Sequence, residues 1–132
     1  MHVLMLIAFL AVAQTPAAPA ADPLPSSIDE TIALCEQTEY SRPQQAMRIA
    51  EHGLALDESR SAAQRGLLLA CRAGSLMGLG KMDEARALTL EIDPLMNQDG
   101  NPRDRVGLMI RLSQLHFRGG DPISALEVMD QA

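Results

Sequence analysis

The chain contains no tryptophan, one tyrosine and two phenylalanines in 132 residues. So little aromatic surface argues against a sheet sandwich and leaves Leu, Ala, Met and Ile to pack helix on helix. Lysine is almost absent too. Lys81 stands beside ten scattered arginines, and the formal charge is −6. No basic cluster can displace counterions from a polyanion, so general nucleic-acid binding is not expected. Histidine is scarce, and His52 and His116 are isolated, which makes no zinc site. We expect no metal and no cofactor.

One long apolar run exists, VLMLIAFLAVA at residues 3–13. At 1.5 Å per residue it reaches about 16 Å, roughly half a bilayer core. Ala11-Val12-Ala13 puts small residues where a signal peptidase reads, so cleavage after Ala13 is expected, with Ala18-Pro19-Ala20 as second choice. Only Met1-His2 precedes the run, without a cation. The alternative, a buried N-terminal helix, is disfavoured by the detaching stretch that follows. No cysteine follows the run, so lipid attachment is not indicated. The reading is a signal peptide over 1–13 and a periplasmic or otherwise exported chain, touching membrane only through an uncleaved signal or a further C-terminal span.

Residues 14–26 are rich in proline and alanine and read as a solvated linker. Beyond them the chain is punctuated by helix starts. Ser27 with Glu30, Ser41 with Gln44 and Ser61 with Gln64 have capping-box spacing. Asn101-Pro102 and Asp121-Pro122 combine a capping side chain with proline at the first helical position. Gly80 and Gly119-Gly120 are stops. These marks predict helices at about 28–39, 42–56, 62–79, 82–93, 102–118 and 122–132. Leu108, Leu112 and Leu115 form one apolar stripe, and Ala85, Leu88, Ile92 and Leu95 another. The fold class is all-α, with one domain over 27–132.

The even-numbered helices share a register. Ala46, Ala85 and Ala125 align at spacings of 39 and 40, and Gly80 and Gly120 each stand five residues before the shared alanine. Gly53, Ile92 and Ala132 follow it by seven. The segments GLGKMDEARAL (78–88) and FRGGDPISALEVMDQA (117–132) are similar to the turn and second helix of the tetratricopeptide-repeat family. The period departs from that family's usual 34 or so residues. Leu76 and His116 stand at bulky aromatic positions, and the closing proline has no counterpart. The resemblance implies three stacked antiparallel helical hairpins, a segment of an α-solenoid. A hairpin bundle of another lineage remains the alternative.

In that family the first helices line a concave face that binds partners. Transferred residue by residue, the face comprises Thr31, Cys35, Ala70, Gly74, Met77, Ile110, Gln114 and Phe117. It is apolar and suits an amphipathic helix or an extended peptide. Some of these residues have an equally good reading as hairpin core. Cys35 and Cys71 lie in first helices of adjacent hairpins. They fit a disulfide in an oxidising compartment or the commoner role of helix-borne cysteines, plain packing.

Catalytic chemistry is not found. GSLMGLGK at 74–81 fails as a phosphate loop, because Ser75 stands where the first Gly is needed and Met82 where Ser or Thr must follow Lys81. Gly119-Gly120-Asp121 echoes a cyclic-dinucleotide synthase signature but is explained as a stop plus a cap. No catalytic residue is assigned and no enzyme is expected within these residues. The last helix carries Leu126, Val128 and Met129 without cover, so we expect the natural polypeptide to continue, or to self-associate through that helix. The functional expectation is an exported protein–protein interaction module, the periplasmic sensor or dimerisation segment of a larger bacterial signalling protein. In organisation it resembles the exported repeat regions of membrane-bound diguanylate cyclases. The alternative is a stand-alone periplasmic scaffold or adaptor. The partner is a protein or peptide in either case.

Overall fold

Six α-helices follow the cap and stop signals closely in a computed structural model that describes residues 23–56, 60–98 and 100–131. They are α1 (Ile28–Thr38), α2 (Pro43–Ala55), α3 (Ala62–Gly78), α4 (Met82–Ile92), α5 (Pro102–Arg118) and α6 (Pro122–Asp130). Among the described residues there is no strand, and the fold is all-α. The apolar run 3–13, its cleavage sites, most of the linker and Ala132 lie outside the described residues. None of the described helices is long and apolar enough to cross a membrane.

Most of the expected starts form, and one of the three capping boxes is complete. Ser61 Oγ accepts from the Gln64 amide at 3.1 Å while the Ser61 amide donates to Gln64 Oε1 at 2.9 Å, a complete capping box. Ser27 Oγ accepts from the Glu30 amide, one bond of the expected box and without its return bond, and Asn101 Oδ1 accepts from the Arg103 amide. Asp121 accepts from both the amide and the hydroxyl of Ser124, and these bonds hold its carboxyl below the usual carboxylate range. The expected Ser41–Gln44 box does not form. Arg42 becomes the cap residue with no side-chain bond, because Pro43 takes the first helical position and its ring keeps the preceding residue out of the α region (φ −141°, ψ 70°). Ser41 is left one residue outside. The linker's end is also less free than a tether: His52 Nε2 donates to the Pro25 carbonyl at 2.7 Å.

The two glycine stops are the same structure. Gly80 and Gly120 have φ of 78° and 79°. After each, the next amide reaches back five residues, Lys81 to the Leu76 carbonyl and Asp121 to the His116 carbonyl, both at 2.9 Å. This is the Schellman closure, and it converts GSLMGLGK into a helix end rather than a loop. Only glycine takes that backbone freely. Gly80→Ala should therefore cost about 1–2 kcal/mol. Gly107 is exposed inside α5 with open space at its Cβ position, and Gly107→Ala should gain about 0.5–1 kcal/mol. Denaturant unfolding of the two variants measures both signs side by side. A feature not anticipated is the 3₁₀ turn Asp93–Asn97 after α4. Pro94 has no N–H to continue the α ladder, so the chain tightens and buries Met96.

Consecutive helices pack in pairs, α1 on α2, α3 on α4 and α5 on α6, and α3 is the hub that also meets α1, α2 and α5. The largest core cluster joins Leu69, Ala70 and Ala73 of α3 to Leu108, Leu112 and Leu115 of α5, with Ile92, Met96 and Val128. Small residues set how close the helices come. A Cβ on Gly66 would lie 2.6 Å from Leu108, and one on Gly53 2.6 Å from Leu68 and 2.9 Å from Thr31. Between α1 and α3, Cys35 and Cys71 are joined in a disulfide, with Cα atoms 6.1 Å apart. They are not plain packing residues, although both are fully buried.

Candidate functional site

The sequence gives no face to Glu39, the residue that caps the C-terminal end of α1, yet its side chain is fully buried. Gly74 makes room for it: a Cβ there would come within 2.9 Å of the Glu39 carboxyl atoms. Arg111 donates through Nη2 to one carboxylate oxygen. Arg118 donates through Nη1 to the other at 3.2 Å. Both arginines belong to α5, so the carboxylate lies over α3 and links the ends of the helix layer. Arg118 also stacks its guanidinium on Tyr40, 4.3 Å from the ring centroid. Arg111 is 8% exposed, and its Nε has no hydrogen-bond partner. Beside the triad, burial pushes the Glu36 carboxyl up, the Arg111 charge opposes that, and the Glu39 carboxylate adds to it. Gly74→Ala should dislodge the carboxylate and cost about 1–3 kcal/mol by overpacking, read as a fall in the unfolding midpoint.

The surface above this triad is grooved and apolar. One groove of about 540 Å³ is lined by Tyr40, Ser113, Gln114, Phe117, Arg118, Pro122, Ala125 and Leu126. A second, of about 520 Å³, runs through Glu36, Leu67, Gly107, Ile110 and Arg111 and shares Tyr40 and Gln114 with the first. Phe117 is 70% exposed and Leu126 68%, and Val106, Ile110, Ile123 and Met129 are also exposed. Of these, Phe117 and Leu126 line the first groove and Ile110 the second.

The eight residues expected on the concave face divide. Ile110, Gln114 and Phe117, all on α5, are exposed and line the grooves. Thr31, Cys35, Ala70 and Gly74 are buried, which corrects the expectation of one open face. Thr31 packs at Gly53 of α2, Cys35 is tied to Cys71, Ala70 joins the α3–α5 core, and Gly74 lies under Glu39. Met77 is half-buried against the same core. The physical reason is that α3 has neighbours on both sides, so only the outermost helix of the layer keeps a free stripe. Sequence reasoning missed Glu39, Tyr40, Arg111 and Arg118. Arg111 was detectable, since it interrupts the Leu108–Leu112–Leu115 stripe, and a charge on a core face needs a buried partner. No comparable signal marks Glu39.

Among the described residues no group of three or more His, Cys, Asp or Glu is arranged to hold a metal ion. Comparison of the chain with models of known protein families, with characterised proteins and with solved structures finds no match.

Proposed function

We propose that this chain is an exported protein–protein interaction module built of three stacked, tetratricopeptide-like helical hairpins, serving as the periplasmic sensor or dimerisation segment of a larger bacterial signalling protein. The observation that carries the reading is the free stripe of α5. Shifting by the repeat spacing of 40 aligns Val106, Ile110, Ser113 and Phe117 with Gly66, Ala70, Ala73 and Met77. On α3 that stripe packs against α5. On α5 Val106, Ile110 and Phe117 of the equivalent stripe face water, while Ser113 is half-buried beside α6, so most of the surface one repeat offers the next is presented to something else. The buried shared alanines, Ala46, Ala85 and Ala125, and the matching Gly80 and Gly120 turns support the repeat. The Cys35–Cys71 bond supports an oxidising compartment.

Expression of the full chain in a bacterial host, followed by fractionation, N-terminal sequencing and thiol counting, tests the compartment. The expected product begins at Gln14, is recovered from the periplasm and has no free thiol. Cytoplasmic protein that keeps Met1 and two thiols overturns the reading. Reading the coding DNA beyond Ala132 tests the signalling role: a span of about 20 apolar residues and an output domain are expected, and an immediate stop codon removes that part of the proposal.

A further inference from the structure

We infer that the α5–α6 face is a homodimer interface, in which α5 of one chain lies antiparallel on α6 of a second copy. The inference rests on the interaction-module reading and names its partner. The face has the period of a helix–helix seam. On α5, Arg103, Val106, Ile110, Ser113 and Phe117 recur at alternating spacings of three and four, and on α6 Pro122, Leu126 and Met129 do the same. The two helices run antiparallel within the chain: only the short Gly119–Asp121 turn joins them, they pack on each other, and Ser113 Oγ donates to the Ala125 carbonyl at 3.1 Å.

Side-chain size argues against another hairpin seated as α5 sits on α3. There the approach depends on Gly66 and Ala70, and a Cβ on Gly66 would already strike Leu108. Val106 and Ile110 at the equivalent positions hold an incoming helix further off. A seam of large side chains at ordinary helix separation suits a flat, self-complementary contact instead.

Charge selects the arrangement. The start of α5 carries Arg103 and Arg105, while the end of α6 carries Glu127 and Asp130, and α6 has no Lys or Arg. Among the described residues these four form no ion pair within the chain. A two-fold axis running along the helices sets each α6 against α5 of the other chain. The Arg103–Arg105 end then meets Glu127 and Asp130 of the partner subunit, twice over. The other face-to-face two-fold sets α5 on α5 and brings Arg103 and Arg105 toward Arg118 of the partner subunit, which like charge opposes.

Sedimentation equilibrium of the full chain under non-reducing conditions tests this. A dimer is expected. Phe117→Glu with Leu126→Glu should give monomer with unchanged helical circular dichroism. Arg103→Glu with Arg105→Glu should weaken association about tenfold or more, and so should Glu127→Arg with Asp130→Arg. All four reversals together should restore it. A wild-type chain that stays monomeric at millimolar concentration overturns the inference, as does a dimer that survives the Phe117–Leu126 pair or a fourfold variant that stays dissociated. Export is judged separately by N-terminal sequencing, so each reading can fail without the other.

Discussion

Replacing Glu39 with alanine is expected to destabilise the protein by about 3–5 kcal/mol, the cost of stranding a buried charge whose partner has been removed. The stranded charge is Arg111, whose side chain is only 9% exposed beneath the second groove. Its Nε already lacks a partner, and of its present hydrogen bonds only the one to the Gln114 oxygen, at 3.5 Å, would remain, with the Glu36 carboxyl near enough to feel the charge. Arg118 fares better, since its side chain is 24% exposed and keeps Tyr40. Against a total stability of about 5–15 kcal/mol for a domain of this size, the loss would bring the protein near its unfolding threshold. Urea unfolding followed at 222 nm measures it. A change below about 1 kcal/mol, the range of surface ion pairs, would mean that water reaches the triad. Glu39→Met combined with Arg111→Met should be milder than Glu39→Ala alone, because replacing both charges removes the desolvation cost along with the attraction.

The second large effect concerns the Cys35–Cys71 bond. The two residues are separated by 36 positions, and a cross-link closing a loop of that length restricts the unfolded chain enough to contribute about 3–4 kcal/mol. Cys35→Ala with Cys71→Ala is therefore expected to lower the unfolding midpoint by that equivalent. The denaturant slope should rise, because the unlinked chain expands further when it unfolds. Both sulfurs are inaccessible, so reductant should act on the native protein only as fast as it opens. A double variant as stable as the parent, or rapid reduction without unfolding, would contradict this account.

What the sequence made legible follows from where its signals are local. Caps depend on a few neighbouring residues, and Ser27, Ser61, Asn101 and Asp121 all act as their chemistry requires. Ser41 fails because two local signals compete and proline's steric demand outranks a hydroxyl's hydrogen bond. Faces depend on tertiary neighbours as well as on period. A repeat alignment gives equivalent residues the same direction, yet Ala70 and Ile110 share a register position and differ in fate because α3 has a neighbour where α5 has none. Glu39 was beyond reach of any pattern, since a residue at a helix end belongs to no face and its partners lie 72 and 79 positions away.

The Glu39 triad alters how such a molecule comes apart. Helical-repeat arrays with only nearest-neighbour contacts tend to fray from their ends, each unit melting at its own free energy. Here no helix of the first pair packs on a helix of the third, but Glu39 and Tyr40 reach Arg111 and Arg118 across the middle pair. Neither end can loosen without breaking the same buried contact. Amide hydrogen exchange should therefore find α1 and α5 opening together in one global event, with opening graded from the ends only when residue 39 no longer carries its carboxylate.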